Sequence, residues 1–209
     1  MNIPERILVL KDDVEYRDPF REKAFVPKNL APESFSLYHL DSQSIVVDRE
    51  KVEGNIYYLQ PVAYTLVFDS VRQRVFCAKR ISGDERLQNT FCLGFGGHVN
   101  INDLNVDSPA VYKTALRELR EELEIRKKKL NLNFLGYVRD LNSSTSEHLG
   151  IIYYLDTGSV SIKEKDKFVG RWIPYQELKD NYYGKLESWS RLSLDYIYES
   201  EILHKLLNF

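Results

Sequence analysis

The segment Arg117-Glu118-Leu119-Arg120-Glu121-Glu122-Leu123 constrains this chain more than any other. At about 100° per residue, Glu118, Glu121 and Glu122 share one face of a helix, and Leu116, Leu119 and Leu123 share another. The leucines then belong in a core, and three carboxylates crowd into one turn. Like charges at these spacings each cost roughly a few tenths of a kcal/mol even when exposed. Stacked beside a core-facing stripe they call for a neutralising cation. Magnesium suits such a cluster, because it is hard, takes oxygen ligands and coordinates substrate phosphates. A solvated acidic helix face is the competing reading of the same residues. Upstream, Ser108 suits the N-cap and Pro109 the first helical position, which predicts a helix from there to about Ile125. Arg126 to Lys129 would then complement the negative end of its dipole.

Strand-like runs flank this helix. Val62 to Phe68 and Val75 to Lys79, with a turn opening at Asp69-Ser70, predict a hairpin. Ser82-Gly83-Asp84 reads as a loop. Phe91 to Phe95 predicts a short strand ending in Gly96-Gly97, where bare backbone can approach an ion or phosphate. Phe134 to Val138, Leu149 to Leu155 and Phe168 to Ile173 predict further strands, and Pro174 opens a helix holding Glu177 and Leu178. Leu194, Ile197, Tyr198, Ile202 and Leu206 recur at helical spacing, as in a packing or dimer helix. In the first sixty residues, Ile7 to Leu10, Ser44 to Val47 and Ile56 to Leu59 are strand-like, and Asp18 to Pro32, with three prolines, reads as loop. Strands on both sides of a central helix imply a mixed sheet covered by helices.

The bulk numbers narrow the function class. Hydrophobic residues are 43% of the 209 and charged residues 29%, as in an ordinary globular protein. The net charge of -2 supplies no overall field for nucleic acid, so a nucleic-acid partner is not expected. Cys77 and Cys92 make no disulfide framework and read as reduced thiols, which together with the absence of a basic leader or a run of about 20 apolar residues predicts a cytoplasmic protein without a membrane span.

The arrangement resembles the Nudix hydrolases. Their signature is Gly, five residues, Glu, seven residues, then Arg-Glu-aliphatic-any-Glu-Glu-any-Gly-aliphatic. Gly97 matches the opening Gly, Arg117 to Leu123 matches the second half, and Ile125 the final aliphatic. Pro61 to Arg80 looks like the first hairpin of that fold, Leu149 to Leu155 like a later core strand, and Arg171-Trp172-Ile173-Pro174 with Glu177-Leu178 like its closing strand and helix. The likeness covers roughly Gln60 to Lys179. The sequence departs from the signature in two places. Arg117 falls twenty positions after Gly97 instead of fourteen, which leaves Asp103 and Asp107 as the only acids in the gap, and Glu124 stands where the signature has Gly.

The resemblance implies an α/β (α+β) fold of the Nudix type, an α/β/α sandwich with a mixed sheet. Residues 1–59 would be an N-terminal extension packed on the core, and residues 60–209 the hydrolase domain with its C-terminal helices. It also implies roles. Glu118, Glu121 and Glu122 bind divalent metal, Mg2+ with Mn2+ as the alternative, and the Gly96 carbonyl joins them. Arg117 orients, and either Glu121 or Glu147, from the polar stretch before a core strand, is the base. Arg80, Gly97 and His98 are the candidates for contact with a small-molecule phosphoanhydride substrate, and a homodimer is the expected assembly. The implied reaction is metal-dependent hydrolysis of a phosphoanhydride in a nucleoside diphosphate-linked compound. Two other readings compete: a catalytically silent nucleotide-sensing or partner-binding domain, and an isomerase using Cys92, as isopentenyl diphosphate isomerase of this fold uses a cysteine near the matching strand.

Overall fold

The runs Val62 to Phe68, Val75 to Lys79, Phe134 to Val138, Leu149 to Leu155 and Phe168 to Ile173 form strands as expected, whereas the run expected over Ile56 to Leu59 enters its strand only at Tyr58. A computed structural model describes residues 4–82, 90–104, 106–143 and 145–200. The strands are β1 Arg6–Lys11, β2 Phe25–Pro27, β3 Ile45–Asp48, β4 Tyr58–Asp69, β5 Arg74–Arg80, β6 Phe91–Cys92, β7 Gly94–Phe95, β8 Leu123–Ile125, β9 Asn133–Val138, β10 His148–Asp156, β11 Val160–Ile162 and β12 Phe168–Pro174. The helices are α1 Val14–Arg17, α2 Leu37–Gln43, α3 Ala110–Glu122, α4 Tyr175–Glu177 and α5 Ser188–Glu199, joined by short turns of tighter or wider helix. A large sheet with several helices is the α+β class expected.

The chain divides into two compact units, with the division falling inside β4, α3 and β10. The first holds Met1–Tyr64, Gly96–Arg117 and Phe134–Ile152. Here β4, β10, β9 and β2 are neighbours in that order, and β1 pairs with both β3 and β4. The first sixty residues therefore contribute β1, β2, β3 and the start of β4 to the sheet. The proline-rich stretch read as loop contains β2, which pairs with β9 through Phe25↔Val138 and Pro27↔Gly136. Gly136 is required there, since its φ is +158° and a Cβ would lie 2.4 Å from the Val26 carbonyl oxygen. The Phe35 ring packs edge-on against Tyr16 and Tyr137.

The second unit holds Thr65–Phe95, Glu118–Asn133 and Tyr153–Phe209. The predicted hairpin forms, with Phe68↔Val75 and Asp69↔Arg74 beside the turn, and β12 pairs along the whole of β5. The strand expected over Phe91–Phe95 is broken in two. β6 pairs with β5 and β7 with β4, while the Leu93 N–H between them donates to Ser190 Oγ at 2.8 Å. The terminal helix is α5, which starts earlier than expected. Glu187 caps it by accepting from the Ser190 and Trp189 backbone N–H groups. Leu194 and Ile197 are buried; Ile202, Leu206, Gly83 and Asp84 lie outside the described residues.

α3 corrects two expectations. Ser108 does not cap it: the Ser108 hydroxyl has no hydrogen-bond partner, and Asp41 of α2 accepts from the Ala110 N–H at 2.8 Å. The helix also stops at Glu122, because Leu123–Ile125 pair antiparallel with β11 instead of making another turn. Arg126–Lys129 thus follow a strand, and the helix-dipole account of this basic run does not hold.

Candidate active site

α3 carries the acidic turn in the expected form. Leu119 and Leu123 are buried, Glu121 is exposed, Glu118 is half-buried, and Glu122 is only 9% exposed. The Glu122 carbonyl accepts from the Lys163 N–H at 2.8 Å, so the end of the helix is anchored by backbone, independently of the carboxylate. All three side chains offer oxygen donors from one turn, the chemistry a hard divalent ion takes. Among the described residues, no three His, Cys, Asp or Glu side chains already converge as a closed metal group.

Arg117, one position before Glu118, directs its guanidinium onto Asp103. Nη2 is 2.9 Å from Oδ2 and Nε is 3.1 Å from Oδ1, while Nη2 also reaches the His98 carbonyl at 3.4 Å. Asp103 is buried and accepts as well from Thr114 Oγ1 and the Asn100 N–H. Asp103, one of the two acids in the extended gap, is thus held by Arg117. Sequence spacing left this open, because the six extra positions shift every residue between Gly97 and Arg117. Asp103 sits in a one-turn helix whose cap is Asn100, and this turn delivers the carboxylate to Arg117.

The Gly96-Gly97 pair has a packing role. A Cβ on Gly96 would lie 1.8 Å from the Ala63 carbonyl oxygen, so no other residue fits against β4. The Gly97 carbonyl accepts from the Ala63 N–H at 3.0 Å.

His98 enters a chain of polar contacts in the first unit. Gln60 Nε2 donates to the Val52 carbonyl at 2.8 Å, which turns Gln60 Oε1 toward His98 Nε2 at 2.9 Å. By the hydrogen-bond network, then, His98 carries its proton on Nε2. His148 Nε2 lies 3.1 Å from the same atom, and its Nδ1 faces Glu147. Glu147, 2% exposed, has Oε1 3.8 Å from that Nδ1. Burial first, then Arg49 and His148, push the His98 pKa down from 6.5 to about 3. The folded protein therefore refuses a proton that the unfolded chain accepts. The stabilisation is whole above pH 6.5 and is lost as the pH falls from there toward 3. The urea midpoint is expected to drop between pH 7 and pH 5, and His98→Gln, which keeps an N–H donor, to flatten that slope. An unchanged slope in the variant would refute the assignment to His98.

The remaining candidates lie in the second unit. The Arg80 guanidinium stacks on the Phe168 ring at 4.6 Å. Cys77 and Cys92 are free thiols; burial raises Cys77 to about 12 and Cys92 well above its ordinary value. Neither is a thiolate at neutral pH, which gives no support to a cysteine-based isomerase. Among the described residues no helix is long and apolar enough to cross a membrane.

No family model matches the chain. It is 31% identical over 204 residues to Protein YmaB of Bacillus subtilis (strain 168), covering 91% of this chain and 96% of that protein. The crystal structure of Tm1382, assigned as a Nudix hydrolase, matches with a TM-score of 0.75 at 30% identity over 93% of this chain and 99% of that one. DR0079 from Deinococcus radiodurans matches with a TM-score of 0.52 at 17% identity, over 66% of this chain and 83% of that one, a likeness of fold alone. With Arg117–Glu122 of the signature carried on one helix, and a 30% identical structure matching almost from end to end, this chain belongs to the Nudix hydrolase family.

Proposed function

We propose that this Nudix hydrolase cleaves a phosphoanhydride bond in a nucleoside diphosphate-linked substrate, with Mg2+, or Mn2+ in its place, held by Glu118, Glu121 and Glu122 and by the Gly96 carbonyl. The observation that carries this reading is the acidic turn of α3: three carboxylates at successive turn positions, the last nearly buried. Oxygen ligands crowded on one helical turn are what a hard divalent ion takes. A divalent ion held by these residues would supply a water of lowered pKa and charge compensation at the phosphate oxygens. The chain's own groups do the rest. Glu121 or Glu147 takes the proton from the attacking water at a carboxylate oxygen. Arg117, fixed by Asp103, orients the helix, and Arg80, Gly97 and His98 face the substrate. Residues 60–209 form the catalytic domain and 1–59 its extension. The protein works in the cytoplasm as a homodimer on a small molecule, without nucleic acid.

The test is a panel of nucleoside diphosphate sugars, ADP-ribose, dinucleotides and nucleoside triphosphates incubated with Mg2+, the products identified by mass. Cleavage of one class into two phosphate-bearing products is expected. Tight binding of one compound with turnover of none would replace the hydrolase by a sensor.

A further inference from the structure

We propose that a basic groove beside the β8·β11 ribbon is a second binding site, taking a small diphosphate-bearing anion, separate from the acidic turn of α3. It begins with the departure at Glu124. Where the family signature has Gly, this chain continues as a strand, with Val160↔Ile125, Ser161↔Glu124 and Ile162↔Leu123 in register. The basic run Arg126–Lys129 therefore leaves the end of a strand, not a helix. Its charge is not explained by a dipole.

A groove of about 750 Å³ opens there, within the range of small-molecule sites. Arg120, Arg126 and Lys163 line it, with the Ser159 hydroxyl and the bare backbone of Gly158. Three cations face one lining carboxylate, Glu124, in a chain whose net charge is -2. That carboxylate is held at the side by Ser161 Oγ at 3.1 Å.

The walls are fixed before any ligand arrives. Lys163 donates its N–H to the Glu122 carbonyl and its Nζ to the Arg120 carbonyl at 3.0 Å, which leaves two Nζ protons. Arg120 Nη2 donates to the Lys128 carbonyl at 2.6 Å, tying the basic run to α3. Gly158 is pressed against an ion cluster: a Cβ would lie 2.9 Å from both Arg72 Nη1 and Asp69 Oδ2. Three cationic side chains, a hydroxyl and a glycine lining one groove are what a multiply charged phosphate group binds. The groove is bounded by the end of α3, two short strands and one loop, which suits a small ligand better than a polymer.

Methylenediphosphonate, a non-hydrolysable diphosphate, is titrated by calorimetry into the full-length protein in EDTA, so that no divalent ion mediates binding, with amide shifts followed by NMR. Binding is expected, with shifts at Ser159, Ser161 and Lys163. Removing two charge-assisted contacts in Arg126→Ala/Lys163→Ala is expected to weaken it at least about tenfold, whereas Arg126→Lys/Lys163→Arg keeps most of the affinity. ADP run alongside separates a nucleotide ligand from inorganic diphosphate: tighter ADP assigns the first, equal affinity the second, and both uphold the site. Wild-type affinity in the alanine variant, or shifts confined to Gly96–His98 and Glu118–Glu122, would overturn it. Neither outcome bears on hydrolysis, which the metal-dependent substrate panel reads.

Discussion

Glu122→Gln is expected to lower Mg2+-dependent turnover by about 10³-fold, the several kcal/mol that a catalytic metal supplies, while the protein stays folded. The substitution keeps shape and volume and removes only the charge. Its fold should survive, because the end of α3 is held by the Lys163 N–H on the Glu122 carbonyl and by the burial of Leu119 and Leu123, none of which involves the carboxylate. Stability separates a ligand role from a structural one. A carboxylate 9% exposed, in a turn with Glu118 and Glu121, is repelled by its neighbours and poorly solvated. With Mg2+, wild type should gain thermal stability by mass action and the variant should gain little. Full activity in the variant, or an equal Mg2+ shift in both proteins, would remove Glu122 from the metal site.

What the sequence carried, it carried through local periodicity. Leu119 falls on the buried face that 3.6-residue spacing demands, and the hairpin at Asp69-Ser70 follows from its composition. The differences all have partners far away in the chain. Leu123-Glu124-Ile125 fits a last helical turn equally well, and only the pairing with Val160–Ile162 makes it a strand. Ser108 has the chemistry of a cap, yet the cap is Asp41, 69 residues before Ala110. Phe91 to Phe95 reads as one strand, and the break at Leu93 depends on Ser190, 97 residues on. Asp103 and Asp107 could not be told apart by spacing, since the choice is made by a fork of hydrogen bonds from Arg117. Glu147 read as a residue of a polar loop; the structure buries it beside His148, which no local pattern encodes.

Arg139→Ala is expected to destabilise the fold by ~3–5 kcal/mol, the cost of leaving one partner of a buried ion pair alone. The Arg139 and Asp12 side chains are each 2% exposed. Arg139 Nη1 and Nη2 meet the two Asp12 oxygens at 2.8 and 2.7 Å, Nη1 also donates to the Tyr16 carbonyl, and Nε donates to the Ser146 carbonyl at 2.9 Å. Removing the guanidinium leaves the Asp12 carboxylate with Arg17, whose Nε lies 2.9 Å away and whose side chain is 42% exposed. For a chain of this size such a loss lowers Tm by about 10 °C. The apolar pair Arg139→Met/Asp12→Leu should recover most of that stability, since it abolishes the buried charge along with its partner. It cannot restore the bond to the Ser146 carbonyl, the peptide oxygen just before Glu147. If that bond holds Glu147 in position, the double variant regains its melting temperature while turnover stays low. Recovery of both together would reduce Arg139 to a packing residue, and a single Ala variant within about 1 kcal/mol of wild type would mean that Arg17 alone balances Asp12.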